Sequence, residues 1–150
     1  LNAIQRAREE GGTILSGGAK VVLDGELKNG FYMRPTIIEG LGPETATNQE
    51  EIFGPVVTLQ KFSTKEEALA LTNASKYGLA SVIWSKNTDN IHFLSQGLES
   101  GIVWVNCWLV RDLRTPFGGI KQSGIGREGG WDAMKFFTEV KSITQVIPKF

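Results

Sequence analysis

The 150 residues contain sixteen basic and sixteen acidic side chains, so the formal net charge is zero, and 41% of the residues are hydrophobic. This composition is typical of a globular domain and excludes both the basic field of a nucleic-acid-binding protein and the apolar run of a membrane span. A single cysteine, Cys107, excludes an internal disulfide and a Cys-based zinc site, so we expect one metal-free domain in the cytoplasm.

The chain begins with apolar residues at helical spacing and without a residue that could cap the helix. Leu1, Ile4 and Ala7 carry this spacing, and the helix is predicted to end at Gly11-Gly12, where glycine can adopt the left-handed cap conformation. A start in mid-helix indicates that the chain is part of a longer polypeptide. The alternative is that only an initiator Met and one helical turn are missing.

Short strands and a loop are predicted for the first third of the chain. The strand candidates are Thr13–Leu15, Lys20–Leu23, Phe31–Met33 and Thr36–Ile38, and the loop runs over 42–55.

Strands then alternate with helices. The elements are a β-branched strand at Val56–Phe62, a helix capped by Ser63 or Thr64, a strand at Leu79–Trp84, a helix from Thr88 or Asp89, and an apolar strand at Gly101–Val105. This order predicts an α/β layer with parallel strands and crossover helices. The last of these strands should be buried on both faces because it is apolar throughout. Trp84 and Trp104 are predicted to lie in the core.

A long glycine-containing segment, 106–128, follows the last of these strands. Loops of this length inside a domain are uncommon and usually functional. A short helix at Trp131–Phe137 and a strand at Thr138–Ile147 complete the chain.

Two carboxylates stand beside an aromatic ring in Glu50-Glu-Ile-Phe-Gly-Pro55. A carboxylate can accept hydrogen bonds from both hydroxyls of a ribose, and a ring can flank a planar heterocycle. The alternative is a helix-to-strand junction with solvated acids and a core Phe53.

Several blocks in order resemble signatures of the aldehyde dehydrogenase superfamily. They are Glu50-Glu-Ile-Phe-Gly-Pro55, Tyr77-Gly-Leu79, Gly101-Ile-Val-Trp-Val-Asn106, Pro116-Phe-Gly-Gly119 with Lys121, and Ser123-Gly-Ile-Gly-Arg-Glu128. The resemblance covers essentially the whole chain. It implies the C-terminal part of an α/β catalytic domain over 1–137 and an oligomerisation strand over 138–150. It also implies aldehyde oxidation with NAD or NADP, NAD being favoured, in a homo-oligomer.

The resemblance also implies roles for individual residues. Glu51 would hold the nicotinamide ribose and Phe53 would pack by the nicotinamide, whereas Glu50 would be structural or face solvent. Cys107 aligns with a substrate-facing loop and not with the family's nucleophile, which lies upstream of every block found here. No catalytic residue is therefore assigned, and we expect the 150 residues alone to be inactive. The alternative is a non-enzymatic remnant of the family that acts by association.

Two arginines three residues apart, Arg111 and Arg114, could clamp a carboxylate. The alternative is a pair of surface arginines, one of them neutralised by Asp112. In the family this loop lines the substrate entrance, and Arg-Asp-Leu-Arg resembles the subgroup that oxidises muconic semialdehydes, whose substrates carry a carboxylate. Arg111 is the preferred ligand of that carboxylate, and Phe117 should line the same pocket.

Overall fold

The computed structural model describes residues 1–148, which separate into two units, Leu1–Lys76 and the residues from Tyr77 onward. The first unit contains α1 (Asn2–Glu9), β1 (Thr13–Ser16), β2 (Lys20–Val21), β3 (Tyr32–Met33), β4 (Thr36–Glu39), α2 (Ala46–Gln49), β5 (Val56–Leu59) and α3 (Lys65–Asn73). The second contains β6 (Tyr77–Gly78), β7 (Ala80–Ile83), α4 (Thr88–Gly97), β8 (Ile102–Val105), β9 (Ile120–Lys121) and α5 (Gly130–Phe137).

The core of the first unit lies where α1 packs on the sheet. Ala7, Ile38 and Leu41 are buried together, with Ile14 and Val56 packed against them. Burying an aliphatic side chain of this size contributes about 1.5–3 kcal/mol. The predicted end of α1 is confirmed, since Gly11 has a φ of +92° and the Gly12 amide donates to the Ala7 carbonyl at 2.8 Å.

Parallel strands with crossover connections are confirmed in both units. β4 pairs with β1 in antiparallel and with β5 in parallel orientation, and β7 pairs with β8 in parallel. The prediction joined the strand at Val56 to the strands that follow it, but in the structure this strand pairs with β4. Residues 40–55 make that crossover, which is long enough to reverse the chain between parallel strands.

The predicted loop over 42–55 contains a helix, α2, that the sequence analysis missed. The carboxylate of Glu10 accepts hydrogen bonds from the amides of Ala46 at 3.0 Å and Thr47 at 3.2 Å, and so satisfies the first turn of α2. This cap comes from a residue far away in the sequence, so no local capping pattern could predict it.

The helices α3 and α4 are capped locally. Thr64, the N-cap of α3, accepts from the Glu67 amide at 3.1 Å, and Glu67 accepts from the amide of Ser63, one residue before the cap, at 2.7 Å. α4 begins at Thr88 as predicted, and Asn87 is its N-cap.

The strand β8 is less buried than predicted. Trp104 is buried at 8% exposure, but its neighbours in β8 are only half-buried, and Trp84, predicted to lie in the core, is 69% exposed. Among the described residues β8 pairs with one strand, β7.

The length of the segment 106–128 suggested a loop without regular structure, but the structure shows a strand and a β-bridge in it. β9 pairs with β6, and Phe117 forms an antiparallel bridge with Glu128. The chain passes so close to Gly101 that a Cβ there would lie 1.8 Å from the carbonyl oxygen of Gly118, which requires glycine at this position.

The predicted final strand, Thr138–Ile147, forms no ladder within residues 1–148. Its apolar side chains Val140, Ile143, Val146 and Ile147 are all more than 80% exposed. A lone edge segment needs a partner to become a strand, so the oligomerisation role and the division at 137/138 stay predictions. No helix in the described part of the chain is long and apolar enough to cross a bilayer.

We predict that Glu10 makes the stability of the first unit depend on pH. The Thr47 hydroxyl and the amides of Thr47 and Ala46 lower the pKa of Glu10 from its ordinary 4.5, while lost hydration opposes them. The ionised form is therefore favoured by folding, and its contribution is present above pH 4.5 and lost as the pH falls through the lower folded pKa. Thermal unfolding from pH 6 to pH 3 should show a smaller loss of stability in Glu10→Gln than in the wild type. Equal losses would contradict this role.

Candidate functional site

Two surfaces carry the predicted binding residues, one in each unit. The acidic segment, Glu50–Pro55, lies between α2 and β5 in the first unit. The recognition loop, residues 106–128, follows β8 in the second unit.

The acidic segment is tightly turned. At the C-terminal end of α2 the Glu50 amide donates to the carbonyl of Ala46. The Gly54 amide donates to the Ile52 carbonyl at 2.6 Å, and the Val56 amide donates to the Gly54 carbonyl at 2.8 Å. Bonds between residues two apart are those of three-residue turns. The segment therefore holds its side chains on a short, bent backbone.

The two carboxylates of the acidic segment have different surroundings. Arg6 Nη1 donates to Glu50 Oε2 at 2.5 Å, so Glu50 ties this segment to α1. Glu51 is exposed and forms no ion pair within residues 1–148. Glu50 is thus both exposed and paired within its unit, and the binding role expected of Glu51 stays a prediction.

Phe53 lies on the surface of its unit. Its side chain is 97% exposed, so the alternative of a core Phe53 is wrong. A bare ring beside an available carboxylate presents one flat apolar group and one hydrogen-bond acceptor, which are the groups expected to meet a nicotinamide and its ribose.

The recognition loop is anchored where it leaves β8. Asn106 adopts a φ of +52°, and its side chain accepts from the Ser85 amide at 2.9 Å and donates to the Ser85 carbonyl at 2.8 Å. The buried Trp104 donates its Nε1–H to Val110 at 2.9 Å and meets Trp108 edge to face at 5.2 Å. These contacts fix the chain up to the residue before Arg111.

Arg114 is held by its own loop. Its Nε donates to both carboxylate oxygens of Asp112, at 2.9 and 3.0 Å, and its Nη2 also contacts Asp112. The Arg114 side chain and amide lower the pKa of Asp112, and Asp112 raises that of Arg114. The alternative of an arginine neutralised by Asp112 therefore describes Arg114.

Arg111 has a different environment. Its guanidinium lies 4.3 Å from the centroid of the Phe117 ring, and Nη2 donates to Glu128 Oε1 at 2.5 Å. A cleft of about 390 Å³ is lined by Phe117, Glu128 and the intervening glycines, with Phe136 and Phe137 on its walls. The structure thus brings Arg111 and Phe117 into contact, while Arg111 itself is not among the residues that line the cleft, so a shared substrate pocket stays a prediction.

Glu128 is the member of this group that sequence reasoning missed. It was visible only as the last residue of the block Ser123–Glu128. The signal that could have found it is its pairing with Phe117, and that pairing depends on the turn between them and not on any local pattern.

Cys107 lies in the recognition loop as a half-buried free thiol. The chain's single histidine, His92, is exposed on α4. No group of three or more His, Cys, Asp or Glu side chains in the described part of the chain is arranged to hold a metal ion.

The chain matches the model of the aldehyde dehydrogenase family over residues 1–143. It is 49% identical over 143 residues to 2-hydroxymuconic semialdehyde dehydrogenase of Pseudomonas sp. (strain CF600), covering 95% of this chain and 29% of that protein. It is 47% identical to 2-aminomuconic semialdehyde dehydrogenase of Bos taurus, covering 94% of this chain and again 29% of that protein.

Solved structures agree with these matches. The NAD+ complex of aldehyde dehydrogenase from Bacillus cereus superposes with a TM-score of 0.86 at 39% identity, covering 95% of this chain and 28% of that one. The chain thus spans less than a third of the length of these relatives. Its fold, its ordered motifs and the family match agree, and the chain belongs to the aldehyde dehydrogenase family.

Proposed function

We propose that these residues serve in the oxidation of an aldehyde to its acid with NAD(P)+, NAD+ being favoured, within a longer dehydrogenase polypeptide. In this chemistry a thiolate adds to the carbonyl, and water later hydrolyses the resulting thioester. The dinucleotide supplies the hydride acceptor when it is bound. The 150 residues alone would not catalyse the reaction, because Cys107 aligns with a substrate-facing loop and not with the family's nucleophile.

The acidic segment fits the nicotinamide half of the cofactor. The Glu51 carboxylate is exposed and unpaired among residues 1–148, so it can accept hydrogen bonds from both ribose hydroxyls. The exposed Phe53 ring is a flat apolar surface for a planar heterocycle. Both residues project from the tight turn that connects α2 to β5.

Glu51→Gln in the full-length protein should raise the KM for NAD+ by roughly tenfold or more, because hydrogen bonds to a charged acceptor contribute more than those to a neutral one. The matched control is Glu50→Gln, which removes the ion pair with Arg6 one residue away and should leave this KM unchanged. Steady-state NADH formation measures both. Equal KM values for Glu51→Gln and wild type, or equal increases in the two variants, would contradict the assignment.

The substrate we propose is a semialdehyde that carries a carboxylate. The environment of Arg111 supports this proposal. Its guanidinium stacks on the ring of Phe117, which lines a cleft. Among the described residues its hydrogen bond to Glu128 uses one of its five N–H donors, so most of them remain available. Arginine can bind a carboxylate through two parallel hydrogen bonds. Arg114 remains a candidate for the same carboxylate, but its Nε–Nη2 edge already binds Asp112.

Arg111→Ala should lower kcat/KM for a carboxylated semialdehyde by about 10- to 100-fold, since charge-assisted hydrogen bonds are lost. A neutral aldehyde of equal chain length should be affected much less. Arg114→Ala is the matched control, and it should change the ratio of the two kcat/KM values by less than threefold, about the effect of an exposed ion pair. A larger effect of Arg114→Ala than of Arg111→Ala would reverse the assignment.

We also propose that the protein is a homo-oligomer in which the exposed apolar segment 138–147 pairs with another subunit. The same exposed segment supports the alternative function, a non-enzymatic remnant that acts by association. The two are separated by the assays above. A full-length protein that associates but forms no NADH from any aldehyde would favour the alternative.

A further inference from the structure

Arg111, Phe117 and Glu128 form one recognition cluster in the second unit. Arg111 touches both other members, through the ring face of Phe117 at 4.3 Å and through Glu128 Oε1 at 2.5 Å. The contact with the ring keeps the guanidinium on the ring face, and the hydrogen bond to the carboxylate limits its rotation there.

Phe117 and Glu128 are themselves fixed relative to each other. The Phe117 amide donates to the Glu128 carbonyl and the Glu128 amide donates to the Phe117 carbonyl, both at 2.7 Å. Two residues that exchange both backbone hydrogen bonds have a defined separation. The backbone pairing therefore places the ring and the carboxylate next to each other on either side of the guanidinium, and the pairing itself does not depend on the Glu128 side chain.

The backbone of Arg111 is anchored independently, by the bond from Trp104 Nε1 to the Val110 carbonyl. The long arginine side chain would otherwise be free to move, because it is 43% exposed. An exposed ion pair adds little to stability. The pair between Arg111 and Glu128 is therefore better explained by orientation of the guanidinium than by stabilisation of the fold.

The hydrogen bond to Glu128 leaves room for a second carboxylate. Glu128 uses a single hydrogen of Nη2, and a guanidinium presents two edges, each with two parallel N–H donors. One complete edge therefore remains for a bidentate partner. Arg114 differs in that Asp112 occupies its whole Nε–Nη2 edge, so the residue is already bound in a bidentate way within its own loop.

We propose that Glu128 is a positioning residue that orients Arg111 on the Phe117 ring, so that the free edge of the guanidinium receives the carboxylate of the substrate. This inference rests on the proposed function. Glu128 contributes to selectivity by reducing the loss of side-chain freedom when the substrate binds.

The test compares kcat/KM for a carboxylated semialdehyde with kcat/KM for a neutral aldehyde of equal length, in the full-length protein. Glu128→Ala should lower this selectivity ratio by about 3- to 10-fold, the effect of one side chain that is no longer pre-ordered. Glu128→Gln keeps an acceptor oxygen and should restore part of the ratio. In Arg111→Ala the further change Glu128→Ala should have no effect on the ratio.

Glu99→Ala is the matched control, because Glu99 forms an ion pair of similar length with Lys121 at 2.6 Å in the same unit. It should leave the selectivity ratio at the wild-type value. The backbone pair of Phe117 and Glu128 is retained in Glu128→Ala, and its melting temperature should match that of Glu99→Ala.

Three results would overturn the inference. Glu128→Ala could lower both kcat/KM values equally, Glu99→Ala could change the ratio as much, or Glu128→Ala could act fully in the Arg111→Ala background. Different results would contradict the proposed function. Either the wild type would form no NADH from aldehydes, or Arg111→Ala would leave the selectivity ratio unchanged. In the second case Arg111 does not bind the substrate carboxylate, and the role of Glu128 in orienting it is contradicted as well.

Discussion

The reciprocal backbone pairing of Phe117 with Glu128 is the constraint on which the recognition cluster depends. It closes the recognition loop and places an aromatic ring and a carboxylate at a defined separation. Arg111, brought in by the anchor between Trp104 and Val110, meets both groups. Gly101 permits this arrangement, because a side chain at position 101 would overlap with the backbone of Gly118. The position of Arg111 thus follows from backbone geometry as much as from its own side-chain contacts.

In both units, two like-charged residues that are close in sequence make different contacts. Glu50 pairs with Arg6 and Arg114 pairs with Asp112 through two nitrogens, whereas Glu51 has no ion pair among residues 1–148 and Arg111 contacts Glu128 through Nη2 alone. Pairs of like residues close together in sequence therefore have different surroundings.

Local patterns predicted what local forces determine. The helix end at Gly11, the cap at Thr64 and the start at Thr88 follow from backbone conformation and nearby hydrogen bonds, and all three are present. Distant contacts produced the errors. α2 is capped by Glu10, β5 pairs with β4, and Trp84 is exposed although its strand is apolar.

The same distinction holds for the site. Arg111, Phe117, Glu51 and Phe53 could be proposed from motif resemblance, because each lies inside a recognisable block of sequence. The choice between Arg111 and Arg114 needed the geometry of Asp112, and the role of Glu128 needed the pairing across the loop. Neither contact can be predicted from the spacing of residues in the sequence.

The central claim is that these residues recognise cofactor and substrate while the nucleophile lies elsewhere. The most direct test is NADH formation from a carboxylated semialdehyde by the purified 150-residue chain, compared at equal molarity with the full-length protein. The account predicts turnover by the full-length protein and none by the chain alone. Turnover by the chain that disappears in Cys107→Ser would contradict it, because Cys107 would then be the nucleophile.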